Sequence, residues 1–142
     1  YTYDDQDRLL TAGVFTFTYN AQGEMATKTN TLTSQTTTYV YDSVGNLTQV
    51  TLPNGNLITY EIDALNRRVG KRLNGTLQVR YIYADQYRII AELNTSGNIK
   101  RRFVYGSKSF IPDYYIEGST KYRIISDQLG SPRIVINRSN GS

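Results

Sequence analysis

The chain has 142 residues, of which 16 are Lys or Arg and 12 are Asp or Glu, giving a formal net charge of +4 and a sequence pI near 9.3. It contains no Cys, His or Trp, which excludes a disulfide framework, a Cys/His zinc site and a histidine-based catalytic triad. A hydrophobic fraction of 39% is too high for a disordered tail, and no apolar run approaches the ~18–20 residues of a transmembrane helix.

Thirteen tyrosines against four phenylalanines point to β-structure, because the tyrosine ring packs on a pleated surface while its hydroxyl reaches a partner. Period-two alternation then recurs along the chain, and helical periodicity does not. Tyr1-Thr2-Tyr3-Asp4 leads to Arg8-Leu9-Leu10. Phe15, Phe17 and Tyr19 alternate with threonines, and Asn20 leads to Gly23-Glu24-Met25. Tyr39-Val40-Tyr41-Asp42 leads to Gly45-Asn46-Leu47, and Tyr60-Glu61-Ile62-Asp63 to Asn66-Arg67-Arg68-Val69. Tyr81-Ile82-Tyr83, with one more residue before Asp85, leads to Tyr87-Arg88-Ile89-Ile90-Ala91-Glu92.

Between these runs lie turn signals: Pro53-Asn54-Gly55-Asn56, Asn74-Gly75, Ser96-Gly97-Asn98, Glu117-Gly118-Ser119 and Asn140-Gly141. Asn-Gly suits a type I′ turn, whose two central residues both need positive φ. The pattern predicts hairpins pairing 47–52 with 57–63, 67–73 with 76–83, 87–94 with 98–105 and 113–117 with 120–125. No linker interrupts them, so residues 1–142 read as a single segment: an all-β, antiparallel hairpin meander.

The runs superimpose as an internal repeat, aromatic-x-aromatic-Asp-x-x-Gly/Asn-polar-apolar. Its anchors Asp4, Asn20, Asp42, Asp63 and Asp85 lie 16, 22, 21 and 22 residues apart. Each anchor is suited to accept hydrogen bonds from the turn that it opens, and the Gly or Asn after it tolerates a left-handed backbone. Arg8, Arg67 and Arg88 are placed to reach an anchor carboxylate in a neighbouring strand. One repeat cannot cover its own aromatic face, so stability must come from stacking repeats. The motif residues Tyr3, Asp4, Tyr19, Asn20, Tyr41, Asp42, Tyr60, Asp63, Tyr83 and Asp85 therefore read as scaffold.

These residues resemble the Rhs/YD-repeat family, named for the Tyr-Asp seen at Tyr3-Asp4 and Tyr41-Asp42. The C-terminal part resembles the Rhs-associated core in Tyr87-Arg88-Ile89-Ile90-Ala91-Glu92, in Arg102-Phe103-Val104-Tyr105-Gly106, and above all in Asp127-Gln128-Leu129-Gly130-Ser131-Pro132-Arg133. Gln128 stands where the family usually has His. On this resemblance the repeats occupy about residues 1–105 and the core-like segment about 106–142.

The resemblance implies a β-sheet strip that spirals into a hollow shell around a toxin domain, or the barrel of teneurin-like adhesion proteins. It also implies a secreted or cell-surface setting. An aspartyl autoprotease lies past the core in the bacterial forms. Its Asp-Pro-x-Gly motif is expected beyond Ser142, and Pro112-Asp113 has the reverse order, so no catalytic residue is assigned. The opening residue, Tyr1 rather than Met, fits an excised or processed piece.

Charge is unevenly distributed. Residues 1–66 carry two basic and seven acidic side chains, and residues 67–142 carry fourteen and five. Such asymmetry suits a polyanion at the basic end, an acidic end meeting the basic end of another copy, or simply two differently charged, solvated faces. Asp4-Asp5-Gln6-Asp7 lacks the glycine and distal Glu of a calcium loop, so no metal or cofactor is expected. Lys100-Arg101-Arg102 and Arg67-Arg68 with Lys71-Arg72 suggest phosphate contacts, but alternation sends neighbouring cations to opposite faces and argues against nucleic acid. Five sequons, at Asn46, Asn74, Asn94, Asn137 and Asn140, fall at or near turns as weak glycosylation candidates. The expected function is thus a non-catalytic, self-associating wall segment, as a filament or shell. The alternative is a carbohydrate-binding module using Tyr1, Tyr39, Tyr60, Tyr81, Tyr114 and Tyr115.

Overall fold

The computed structural model describes residues 1–142 and contains fourteen β-strands and no helix. They are β1 (Thr2–Tyr3), β2 (Leu9–Ala12), β3 (Phe15–Tyr19), β4 (Met25–Asn30), β5 (Gln35–Tyr41), β6 (Leu47–Thr51), β7 (Leu57–Ile62) and β8 (Arg68–Leu73). Then come β9 (Thr76–Tyr83), β10 (Ile89–Leu93), β11 (Ile99–Val104), β12 (Tyr114–Glu117), β13 (Thr120–Ser126) and β14 (Pro132–Asn137). The residues gather into two compact units, Tyr1–Thr76 and Leu77–Ser142.

In the first unit β1 to β8 form an antiparallel meander in which each strand pairs with its sequence neighbours. Tyr39, Val50, Ile58 and Leu73 stand opposite one another across β5 to β8. Val50, at 7% exposure, is the best-covered side chain of that row. The other face is built of threonine. Thr11, Thr16, Thr29 and Thr36 form one cross-strand row, and Thr18, Thr27, Thr38 and Thr51 form a second. Hydroxyl-to-hydroxyl bonds join Thr18 to Thr27 at 2.7 Å, Thr29 to Thr36 at 2.9 Å and Thr2 to Thr11 at 2.8 Å.

In the second unit β9 to β14 repeat the plan. One face carries Ile82, Ala91, Arg102, Ile116 and Lys121 in register, and the other carries Tyr81, Glu92, Arg101, Glu117 and Thr120. Alternation thus separates Arg101 from Arg102. Ala91 is 5% exposed and Val50 is the only other buried hydrophobic side chain, so nearly every apolar residue keeps part of its surface in solvent.

The expected hairpin strands are all present, with ends moved by a residue or two. Two differences are informative. The strand Met25–Asn30 and the first half of Gln35–Tyr41 give no bulky alternation, because their repeating residue is threonine, polar yet favourable on a pleated surface. A pair of positive-φ residues in the type I′ manner occurs at Asn74 (49°) and Gly75 (80°), whereas at 54–55 and 140–141 the glycine alone is positive. The 52–56 loop instead closes through Leu52 N to Asn56 O and Gly55 N to Leu52 O, and the longer connection needs one left-handed residue.

The threonine rows should contribute measurably. A double-mutant cycle of Thr18→Ala and Thr27→Ala, read by chemical denaturation, is expected to give a coupling of about 0.2–1 kcal/mol. A value of zero would mean that this hydroxyl pair adds nothing beyond strand propensity.

Candidate functional site

The recurring chemical unit is a five-residue turn. At Asp42 the backbone N–H donates to Asn46 O, and Gly45 N donates back to Asp42 O. The carboxylate oxygen Oδ1 accepts from Val44 N at 3.0 Å and from Asn46 N at 2.9 Å, and Gly45 has φ +90°. The same four bonds are made at Asp4, Asn20, Asp63, Asn94 and Asp127. The fourth position is left-handed each time, filled by Asp7, Gly23, Gly45, Asn66, Gly97 and Gly130. A register shift precedes every one of these turns, so that the residue before the anchor pairs with the fifth residue after it: Tyr3 with Leu9, Tyr19 with Met25, Tyr41 with Leu47, Ile62 with Arg68, Leu93 with Ile99 and Ser126 with Pro132. The bulge adds local twist and ends the pairing at a fixed point.

The other anchor oxygen holds a side chain. Arg8 Nε donates to Asp4 Oδ2 at 2.7 Å, Arg67 Nε to Asp63 Oδ2 at 2.8 Å and Arg88 Nε to Asp85 Oδ2 at 2.6 Å. Each guanidinium therefore reaches the carboxylate of its own turn and not one in a neighbouring strand, because the five-residue turn folds the arginine back beside its anchor. At Asp42 an asparagine amide, Asn46 Nδ2, takes the arginine's place at 2.9 Å. Around Asp85 the closing bond shifts to Ala84 N and Arg88 O, which absorbs the extra residue before the anchor.

The turn is then tied to the next strands. The Arg8 guanidinium lies 5.0 Å from the Tyr19 ring centroid, and Tyr19 Oη donates to Leu9 O at 2.8 Å. Arg88 and Tyr105 repeat this at 6.0 Å, with Tyr105 Oη donating to Ile89 O at 2.9 Å. Burial raises the Tyr105 phenol above its usual range, which keeps it a donor. Other rings are covered by cations or rings: Lys28 over Phe15 at 4.2 Å, Arg68 over Tyr60 at 3.8 Å, and Tyr115 stacked on Tyr122 at 4.7 Å beside Phe103. Of the tyrosines considered for sugar stacking, Tyr60, Tyr114 and Tyr115 thus have ring faces already occupied, Tyr114 by Lys121 at 5.8 Å, while Tyr1 is 87% exposed.

The core-like segment uses the same turn. Asp127 Oδ1 accepts from Leu129 N and Ser131 N, and Arg133 donates to Asp127 Oδ2 through Nε and approaches it with a terminal nitrogen, each at 2.8 Å. Leu129 and Gln128 are exposed. Gly130 has φ +91°, and a Cβ there would meet Ile111 Cδ1 at 2.6 Å. Pro132 begins β14 opposite Ser126. At the sequons, the amide nitrogens of Asn46 and Asn74 are engaged, the first with Asp42 and Asn66 and the second with Asn56. Asn94, Asn137 and Asn140 use Oδ1 within their own turns.

Sequence reading did not anticipate the ion group formed by Arg101 with Glu117 (2.8 Å) and Glu92 (3.0 Å), which requires the register of three strands. Nor did it assign Asn94 as an anchor, although Gly97 three residues on was the available signal. No group of three or more Asp and Glu side chains is placed to hold a metal ion, and no helix is long and apolar enough to cross a membrane.

The teneurin YD-shell family model matches residues 1–142. The chain belongs to that family. Among solved structures it is similar to a chain in the crystal structure of TcdB2-TccC3, at 16% identity and a TM-score of 0.61 over 90% of this chain and 8% of the other. A chain of TcdB2-TccC3-TEV gives 17% identity and a TM-score of 0.60 with the same coverages. The Photorhabdus luminescens Tc holotoxin pore carrying TccC3-D651A gives 18% and 0.52 over 73% and 5%. These likenesses establish the fold, and this YD-shell chain spans less than a tenth of the length of each structure. No curated protein matches it.

Two outcomes follow from the turn chemistry. Hydrogen bonds hold the carboxyls of Asp4, Asp42, Asp63, Asp85 and Asp127 below the usual 3.8; Asp85 falls to about 2, led by the Tyr87 and Arg88 backbone donors. A depressed folded-state pKa adds stability above the unfolded value that is lost on acidification. Melting temperature should therefore drop as pH falls from about 4 towards 2, and Asp85→Asn should lessen that dependence because the amide keeps the acceptor without the titration. Separately, Gly130→Ala should destabilise the second unit by roughly 1–2 kcal/mol from the left-handed backbone alone, with Ile111→Ala relieving any excess over that value in denaturation measurements.

Proposed function

We propose that the chain is a non-catalytic wall segment of a YD shell, whose side-chain chemistry serves to close turns and bind strand to strand. The observation that carries this reading is the repeated fate of the acidic groups. Asp4, Asp63, Asp85 and Asp127 are each held by an arginine and by two backbone donors, which leaves them saturated rather than poised for proton transfer. Family membership supports the same role.

Self-association follows from the strands at the ends of the order. β14 pairs with β13 along one side, and its Ile134 and Val135 are 54% and 46% exposed. Such an edge accepts a further strand. Contact between the acidic N-terminal and basic C-terminal parts of different copies would reinforce it, producing a filament or a closed shell. In a longer parent protein, at a cell surface or secreted, the wall would enclose a toxin domain. The TcdB2-TccC3 likeness supports such a setting.

Sedimentation and light scattering on the 142-residue chain test the assembly. Particles well above 16.1 kDa are expected at low ionic strength, shrinking as salt screens the charge contact. A monodisperse 16.1 kDa species at high concentration and low salt would reject it.

A further inference from the structure

The second unit contains a cleft that the wall role does not use. It lies between the 105–113 loop and β13, has a volume of about 490 Å³, and is lined by Ser107, Lys108, Tyr114, Arg123, Ser126 and Arg138 among others. Residues 77–142 carry ten basic and five acidic side chains. All five acids are engaged: Asp85 with Arg88, Glu92 and Glu117 with Arg101, Asp127 with Arg133, and Asp113 with the backbone and hydroxyl of Ser107. Arg123 and Arg138 stand outside the ion pairs of this unit. Lys108 Nζ is bonded to the Ser126 hydroxyl at 3.1 Å.

Strand register brings Arg123 and Arg138 to this cleft, and the loop brings Lys108. Arg123 pairs with Tyr114 on one side and Ile136 on the other. Arg138 lies one residue past β14 and two beyond Ile136, on the face of Arg123, and its N–H donates to Lys121 O, which sets it opposite Lys121. Like charges directly opposite across an antiparallel pair destabilise it, and neither Arg138 nor Lys121 is paired with a carboxylate, Lys121 lying over the Tyr114 ring. The one carboxylate lining the cleft, Asp113, is held ionised by Ser107. Three cations to one carboxylate leave two positive charges around a cleft that also offers serine and tyrosine hydroxyls. Guanidinium forks suit tetrahedral oxyanions, and a phosphate monoester carries about −1.5 to −2 at neutral pH.

We propose that this cleft is a binding site for a doubly charged tetrahedral oxyanion, a phosphate or sulfate, gripped by Lys108, Arg123 and Arg138. The ligand compensates the charge crowding of the β13–β14 hairpin. The site is separate from the turns that carry the wall role, so either reading can fail alone.

The test uses the whole 142-residue chain. Its melting temperature and the ³¹P line width of inorganic phosphate are followed in a phosphate titration against sodium chloride at matched ionic strength. A saturable rise in melting temperature and line broadening are expected with phosphate, and the melting-temperature rise also with sulfate, but not with chloride. Arg123→Gln and Arg138→Gln should each weaken binding roughly tenfold, about the effect of one charge-assisted hydrogen bond. Lys108→Gln, in the loop and outside the strands, gives the same readout without disturbing strand pairing. Arg102→Gln removes equal charge from outside the cleft and should leave affinity unchanged. Phenyl phosphate binding tighter than inorganic phosphate identifies an ester as the source, and equal affinity identifies the free anion, either result supporting the site. No saturable response beyond chloride, or equal weakening by Arg102→Gln, would overturn it.

Discussion

Everything in this chain depends on one acceptor oxygen held two and four residues ahead of the backbone donors that it satisfies. When Asp or Asn Oδ1 takes both N–H groups, the main chain has little choice but to place its fourth residue in the left-handed region, and the strand that follows starts one residue out of step. A turn and its bulge are thus one device. It occurs six times, and the motif Asp-x-Leu-Gly-Ser-Pro-Arg is one of its copies rather than a different structure. In the four aspartate copies the second oxygen is occupied by Arg8, Asn46, Arg67 or Arg133, and in the Asn20 copy the amide donates instead to Glu24.

The second constraint is cover. With Val50 and Ala91 as the buried hydrophobic side chains, the sheets cannot be stabilised as a globular core is. Aromatic rings instead lie half-buried under what the neighbouring strand supplies, and in the first unit that is often a cation, as with Lys28 on Phe15 or Arg68 on Tyr60. Between β11 and β13 the cover is aromatic, where Phe103, Tyr115 and Tyr122 stand in one cross-strand row. The ion group of Glu92, Arg101 and Glu117 occupies the adjoining row on the same face. Tyrosine suits such positions because its ring accepts the cation while its hydroxyl, as in Tyr19 and Tyr105, closes a backbone carbonyl.

The class of fold and the turn anchors were legible in the sequence because both are local. Alternation of Phe15, Phe17 and Tyr19 needs only consecutive residues, and Asp42 with Gly45 announces its turn within four. What could not be read depends on register. The threonine rows join residues from four strands, and no single strand betrays them. The gathering of Lys108, Arg123 and Arg138 needs a loop and two strands to be placed first. Asn94 was overlooked as an anchor for a different reason: no aromatic pair precedes it, only Ala91-Glu92-Leu93, so the repeat pattern did not flag a turn whose chemistry is the same.

The five-residue turn also bears on how the chain acquires its structure. Each copy is complete within its own hairpin and requires no contact from distant sequence, and in each unit strands pair with sequence neighbours. Loop-closure entropy is therefore small at every step, and ordering can begin at any hairpin and spread by zippering to either side. A ribbon of this kind can grow from a ribosome or through a narrow passage one hairpin at a time, with no need to wait for its far end.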